Sequence, residues 1–177
     1  MKKDFGFTLI EMMSTVVILG IVLAIAAPSL SQYIAINRAK GFAENLAQDL
    51  VMARTEAIRT NQAVQLDVRN GCYGMRAGNT ACDCTITDTT SSNHCAIKQV
   101  NTSTGMSLTK TSGFNGIVFD PVRGLPVTNT FGTLTATQVL TIENTAAKVA
   151  VNLNVIGSVC INSAAGSKKV AGYPAAC

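Results

Sequence analysis

Two sets of side chains in this sequence have types and spacings that could do chemistry. One is Glu11, a lone carboxylate in an apolar run, and the other is a set of six cysteines, at positions 72, 82, 84, 95, 160 and 177. From Phe7 to Ala27 the only polar side chains are Thr8, Glu11, Ser14 and Thr15. The run matches the ~20 residues a helix needs to cross a bilayer core. A carboxylate inside such a helix is costly and by default marks a function whose partner has to be named. Cleavage between Gly6 and Phe7 would create a cationic amine four residues before Glu11. A staggered neighbouring copy of the helix could supply the same amine.

Lys2 and Lys3 precede the run, so the positive-inside bias places the extreme N-terminus in the cytoplasm. Ala24, Ala26 and Ala27 imitate a signal-peptidase site, which leaves ordinary secretion as the plain alternative. Glu11 argues against it, because an ordinary secretory signal has a shorter apolar region and no use for a carboxylate there.

An even number of cysteines in an exported domain reads as disulfides. A Cys82–Cys84 bridge would close too tight a ring. The expected pairing is Cys160–Cys177, tying the last residue back onto a strand. Cys72, Cys82, Cys84 and Cys95 are expected to form two bridges that pin the loop between them, and their pairing stays open. Cys82, Cys84, His94 and Cys95 could instead hold zinc, but their spacing fits no common finger and an oxidising compartment favours disulfides. No metal and no cofactor is expected. The only histidine stands in a Ser/Thr-rich loop, and neither a nucleophile elbow nor a phosphate-binding glycine loop is present, so an enzyme is not expected.

These groups need elements to position them. After Pro28 the helical pattern resumes and runs to about Arg59, with Phe42, Leu46, Leu50, Ala53 and Ala57 on one apolar face and Asn61 as a stop. Period-two alternation follows at 63–68, then an Asn70-Gly71 turn of type I′, then a strand over 72–76. Residues 77–94 read as a bridged loop. Weaker strands are expected at 96–100, 106–110 and 116–119, a turn at 120–124, and further strands at 139–143, 148–153 and 155–161. The fold class is α+β: one long N-terminal helix, membrane-spanning in its first half, packed on an antiparallel sheet. The expected organisation is 1–6 leader, 7–28 membrane helix, 29–61 amphipathic helix and 62–177 β-rich head. The formal net charge of +4 is too mild, without a clustered patch, to indicate nucleic-acid binding.

The stretch Gly6-Phe7-Thr8-Leu9-Ile10-Glu11 after a short basic leader resembles the class III leader and N-terminal helix of type IV pilins and pseudopilins. The resemblance implies a type IV pilin fold, cleavage after Gly6 by a prepilin peptidase, N-methylation of Phe7, and docking of Glu11 to the Phe7 amine of an adjacent subunit. Gly20 and Pro28 match the positions between which pilin helices unwind in filaments. Residues 50–64 and the Ile117-Val118-Phe119-Asp120-Pro121 stretch, followed by Arg123-Gly124, are similar to the GspH/FimT family. The final Gly172-Tyr173-Pro174-Ala175-Ala176-Cys177 resembles FimU-type minor pilins.

The function implied is that of a minor pilin of a bacterial type IV pilus, priming assembly or linking a tip complex to the major-pilin shaft, in pili of the kind that drive twitching motility. The partners implied are the prepilin peptidase, other minor pilins and the major pilin, the inner-membrane assembly platform, and membrane lipid before assembly. The subunit would be stored in the inner membrane with its head in the periplasm and would then join a surface pilus. Two alternatives stand beside this reading, a DNA-uptake pilin and a pseudopilin of a type II secretion system. DNA-uptake relatives carry a Gly-Arg-x-Arg pattern, and the aligned Gly157-Ser158-Val159-Cys160 lacks both arginines. Lys168 and Lys169 could give only weak attraction to phosphates.

Overall fold

The structure is a computed structural model, and it describes residues 6–114, 116–163 and 170–177. The chain divides into two compact units between Ile34 and Ala35. Helix α1 covers Leu9–Thr60. In the second unit its apolar positions recur every three or four residues, and Ala39, Phe42, Ala43, Leu46, Leu50, Ala53 and Ala57 are all buried. Asn61 ends the helix with a φ of 50°. Its amide donates to Ile58 O at 3.3 Å and that of Gln62 to Ala57 O at 3.2 Å, the paired bonds of a Schellman stop. Asparagine takes this left-handed position more readily than other non-glycine residues.

Among the described residues nine strands follow, in two antiparallel sheets where the sequence reading expected one. They are β1 Val64–Arg69, β2 Cys72–Ala77, β3 Lys98–Asn101, β4 Ser107–Lys110, β5 Ile117–Phe119, β6 Pro126–Val127, β7 Gln138–Glu143, β8 Lys148–Leu153 and β9 Val159–Ser163. One sheet has the order β3-β2-β1-β5-β6 and the other β4-β7-β8-β9. Turn residues reveal where strands end but not which distant strand each one meets, so the division into two sheets left no local signal.

Two local expectations are corrected. The β1–β2 hairpin pairs Arg69 with Cys72, but only Gly71 of its two-residue loop has a positive φ, at 93°. A type I′ turn needs positive φ at both positions, so the loop is not of that type. The strand expected at 155–161 starts instead at Val159. Residues 154–158 form a turn, with Gly157 at a φ of 82° and its amide donating to Asn154 O at 2.8 Å.

Alternation along β1 decides what each sheet face meets. Val64, Leu66 and Val68 enter a single apolar cluster shared by α1 and both sheets, which also takes in Tyr73, Phe114, Phe119, Leu140, Ile142 and Val151. Gln65 and Asp67 point to the opposite face and are nevertheless buried. The bridged loop after β2 packs over that face. Cys72 is bonded to Cys84 and Cys82 to Cys95. Gly74 makes room for this loop, because a Cβ there would stand 2.4 Å from Cys95 Sγ.

Candidate functional site

In the first unit, Gly6, Phe7 and Thr8 are non-helical and exposed, and the helix begins at Leu9. Thr8 is the N-cap: its Oγ1 accepts the Glu11 amide at 3.3 Å. Glu11 therefore occupies the third helical position of a Thr-x-x-Glu sequence, where a carboxylate also favours the positive end of the helix dipole. Capping is the structural reading of Glu11, but it does not provide the cation a carboxylate needs in lipid. Glu11 makes no ion pair among the described residues. The other polar side chains of the run satisfy themselves locally. Ser14 Oγ donates to Glu11 O at 2.9 Å and Thr15 Oγ1 to Met12 O at 2.9 Å.

Phe7 is 76% exposed, and the apolar side chains from Leu9 to Leu30 are exposed as well. An 18-residue window of α1 near the N-terminus has a mean hydropathy of 2.4, long and apolar enough to cross a membrane. The helix continues through Gly20 and Pro28. Ser31 Oγ donates to Pro28 O at 2.9 Å.

The backbone around Gly6 is open. Gly6 presents no side chain, nothing lies within 4 Å of where its Cβ would be, and the backbone there is not yet committed to helical hydrogen bonds.

In the second unit the six sulfurs are consumed in three disulfides, the third being Cys160–Cys177. The thiolates a zinc site would need at Cys82, Cys84 and Cys95 are therefore bonded to other sulfurs. His94 Nδ1 lies 3.1 Å from Ile86 O, a contact that calls for a proton on that nitrogen. Asp83 and Asp88 cap turns of the same loop, and hydrogen bonds from Thr85 and Thr90 hold both carboxyls below the usual range.

The C-terminal segment is fastened at several points. Ser163 donates its amide to Pro174 O at 2.9 Å and Asn162 Nδ2 donates to Ala175 O at 3.1 Å. Against α1, Tyr173 OH donates to Glu44 Oε1 at 2.5 Å and Lys40 Nζ donates to Ala171 O at 2.6 Å. The Lys40 ammonium also sits 5.6 Å from the Tyr173 ring centre. Burial, together with the bond to Glu44, pushes the Tyr173 hydroxyl up to about 12. Lys168 and Lys169 lie outside the described residues. Sequence reasoning found the cysteines and the N-terminal motif but missed the fastening of Tyr173, since nothing local marks a tyrosine as the partner of a glutamate 129 residues away.

A family described as Type II transport protein GspH matches residues 43–157, from the amphipathic part of α1 through β8 to the turn before β9. The chain belongs to the GspH family. Residues 1–27 of this GspH chain also match the prokaryotic N-terminal methylation motif.

Among solved structures it is similar to the type IV minor pilin FimU of Pseudomonas aeruginosa (strain PAO1) in two crystal forms. The identities are 13% and 14% and the TM-scores 0.51 and 0.50, covering 71% and 70% of this chain and 89% and 91% of those chains. The minor pseudopilin EpsH from the Type 2 Secretion System of Vibrio cholerae is similar at 15% identity over 71% of this chain and 97% of that chain, with a TM-score of 0.49. No curated protein sequence matches. The likeness to FimU attests the fold, that of type IV pilins, with a long N-terminal helix packed on antiparallel sheets. As a member of the GspH family that also matches the N-terminal methylation motif, the chain is a structural protein of the minor pilin and pseudopilin class.

Proposed function

We propose that this protein is a minor pilin of a bacterial type IV pilus that primes assembly or joins a tip complex to the major-pilin shaft. The observation that carries the proposal is the single carboxylate Glu11 in an apolar run directly after a cleavable Gly6-Phe7 bond. Prepilin peptidase removes residues 1–6 on the cytoplasmic side and methylates Phe7. The head stays in the periplasm while the apolar helix rests in lipid. On assembly, Glu11 receives the Phe7 amine of a neighbouring subunit, which gives the carboxylate a cation where water is absent. The helix unwinds between Gly20 and Pro28, where glycine and proline weaken its hydrogen bonding. The head then contacts other minor pilins, the major pilin and the assembly platform.

The resemblance of Gly172-Tyr173-Pro174-Ala175-Ala176-Cys177 to FimU-type minor pilins, with the six cysteines, favours a pilus subunit. A second reading, a pseudopilin of a type II secretion system, is favoured by the description of the matching family. One experiment separates them: sheared surface pilin is measured in a strain lacking this protein and in its complemented control, beside a secretion assay. Loss of pili with normal secretion supports the proposal. Normal pili with lost secretion replaces it by the second reading.

A further inference from the structure

Three turns of the head, at 120–124, 128–132 and 154–158, each display a large apolar side chain. Val122, Phe131 and Ile156 are all more than half exposed. The same turns border one open cavity of about 340 Å³, whose apolar wall is Leu125, Pro126, Val127, Phe131, Leu134 and Val155. Phe131 is held there against its preference. Its φ is 60°, a left-handed conformation that is an outlier for a bulky side chain. The Phe131 amide donates to Thr128 O, the Thr128 amide to Gly132 O and the Gly132 amide to Thr128 Oγ1, each at 2.9 Å, so the loop is fixed in this form. Backbone strain of this kind gathers at binding sites and switches.

Beside the cavity lies a guanidinium without a partner. Arg54 of α1 is half-buried and makes no hydrogen bond or ion pair among the described residues. Two glycines of the turns leave it room. A Cβ on Gly124 would stand 3.1 Å from Arg54 Nε and 2.6 Å from the exposed Ile58 Cδ1. One on Gly157 would stand 3.4 Å from Arg54 Nη1 and 3.3 Å from Pro126 Cδ, which joins the guanidinium to the cavity wall. Arg123, also in the wall, is exposed and likewise unpaired among the described residues. Asp120, the carboxylate of the wall, caps its own turn by accepting the Val122 amide at 3.1 Å. Glu56, the carboxylate nearest to Arg54 along α1, is already bound to Arg59 at 2.6 Å.

We infer that this surface docks a protein partner through a carboxylate flanked by apolar side chains. The carboxylate meets Arg54, with Arg123 as the second cation, and an apolar neighbour fills the cavity that Phe131 helps to wall. A guanidinium offers a carboxylate two parallel donors. An arginine surrounded by apolar side chains that shut out water has the composition of an interface hot spot. From Ala35, where the head begins, α1 runs about 35 Å to Ile58 at roughly 1.5 Å per residue. The surface therefore stands at the opposite end of the head from the chain's entry, which favours a protein over lipid as its cover. The choice of a protein occupant rests on the reading of this chain as a filament subunit.

The test is photo-cross-linking of the full chain in intact host cells. A benzophenone-bearing residue is introduced in place of Phe131, of Ile156 and, as a control, of Thr89, which is exposed in the bridged loop. The first two positions should capture the same protein and the third should not. Peptide mapping should place the attachment within about four residues of an Asp or Glu in the partner. Arg54→Glu should lower capture about tenfold, and a lysine in place of the partner's carboxylate should restore it. Should Arg54→Glu fail to fold, the exposed Ile156 decides with the probe at 131: Ile156→Asp should lower capture more than Ile156→Lys. No adduct, an adduct with lipid or with a second copy of this chain, or capture undiminished in Arg54→Glu overturns the inference. Equal capture in Ile156→Asp and Ile156→Lys overturns it too. An acidic partner without an N-terminal methylation motif would bear out the surface and count against the filament reading instead.

Discussion

Tyr73 donates its hydroxyl to Asp49 Oδ2 at 2.7 Å, and both side chains are buried where α1 meets β2. The other carboxylate oxygen receives Lys98 Nζ at 2.6 Å from β3. A charge on the apolar face of the helix is tolerated because the sheet supplies two donors to it. Burial, then the bond to Asp49, raises the Tyr73 hydroxyl above its usual range, so it remains a donor. Phe42 meets the same tyrosine edge-on with ring centres 5.5 Å apart.

Substitutions in this cluster should form a graded series. Tyr73→Phe leaves Asp49 paired with Lys98 and should cost about 1 kcal/mol. Asp49→Ala strands a buried hydroxyl and an ammonium, and should cost about 3 kcal/mol, the low end for a broken buried pair because Lys98 reaches solvent. Denaturant midpoints of the full chain in micelles measure both. Equal losses would show that the carboxylate does not organise the junction.

Gly74→Ala tests the seating of the bridged loop. The new methyl would meet Cys95 Sγ at 2.4 Å and Cys95 Cβ at 2.6 Å. Overpacking of this kind costs about 1–3 kcal/mol. The variant should show free thiols by alkylation and mass measurement, at Cys82 and Cys95 first. Complete oxidation with unchanged stability would contradict the packing described.

Replacing Cys160 and Cys177 by serine opens a loop with a sequence separation of 17. A loss of about 3 kcal/mol is expected for a loop of this size. The tail keeps its contacts from Tyr173 and Lys40, so protease cleavage near the C-terminus should rise by less than in a variant that also carries Tyr173→Phe.

High pH should release the same tail. The Tyr173 hydroxyl is raised from about 10 to about 12 in the folded protein. The folded state therefore holds this proton more tightly than the unfolded state. Its contribution is complete below about pH 10 and is lost as pH rises through about 12. Tyrosinate absorbance should show late titration of Tyr173 that moves only part of the way back in Glu44→Gln or Glu44→Ala, because burial is the larger cause. Titration unchanged in both variants would remove Glu44 as a cause.

Glu11→Ala should insert in the membrane at the normal level and be recovered poorly, by about tenfold or more, in sheared filaments. That ratio corresponds to ~1.4 kcal/mol, a modest share of the value of pairing a carboxylate in lipid. Recovery equal to wild type would set the docking role aside.

Much of this architecture was legible because it is written locally. The helix face from Phe42 to Ala57 shows its period, Asn61 marks the stop, and Asn70-Gly71 marks a hairpin even though the turn type differs. The motif around Gly6 and Glu11 is contiguous, and an unsolvated carboxylate stands out in any apolar run. What was not legible depends on pairs far apart in sequence. β1 meets β5 through Val64 and Phe119, and no property of either residue announces the other. Gln65 reads in the sequence as the solvent half of an alternating strand. Its burial depends on residues distant in sequence, Gly116 and Asn129 among them.

The order of the strands has a consequence for how the head comes to exist. The chain leaves the first sheet after β3, returns to it for β5 and β6, and crosses again to reach β7. Both sheets bury their apolar side chains in one cluster shared with α1, so neither half of the head has a core of its own. Folding of such interleaved, non-local pairings is slow and all-or-none. A single nick between β3 and β7 would thus undo both sheets together, and the head should survive or be lost as one piece.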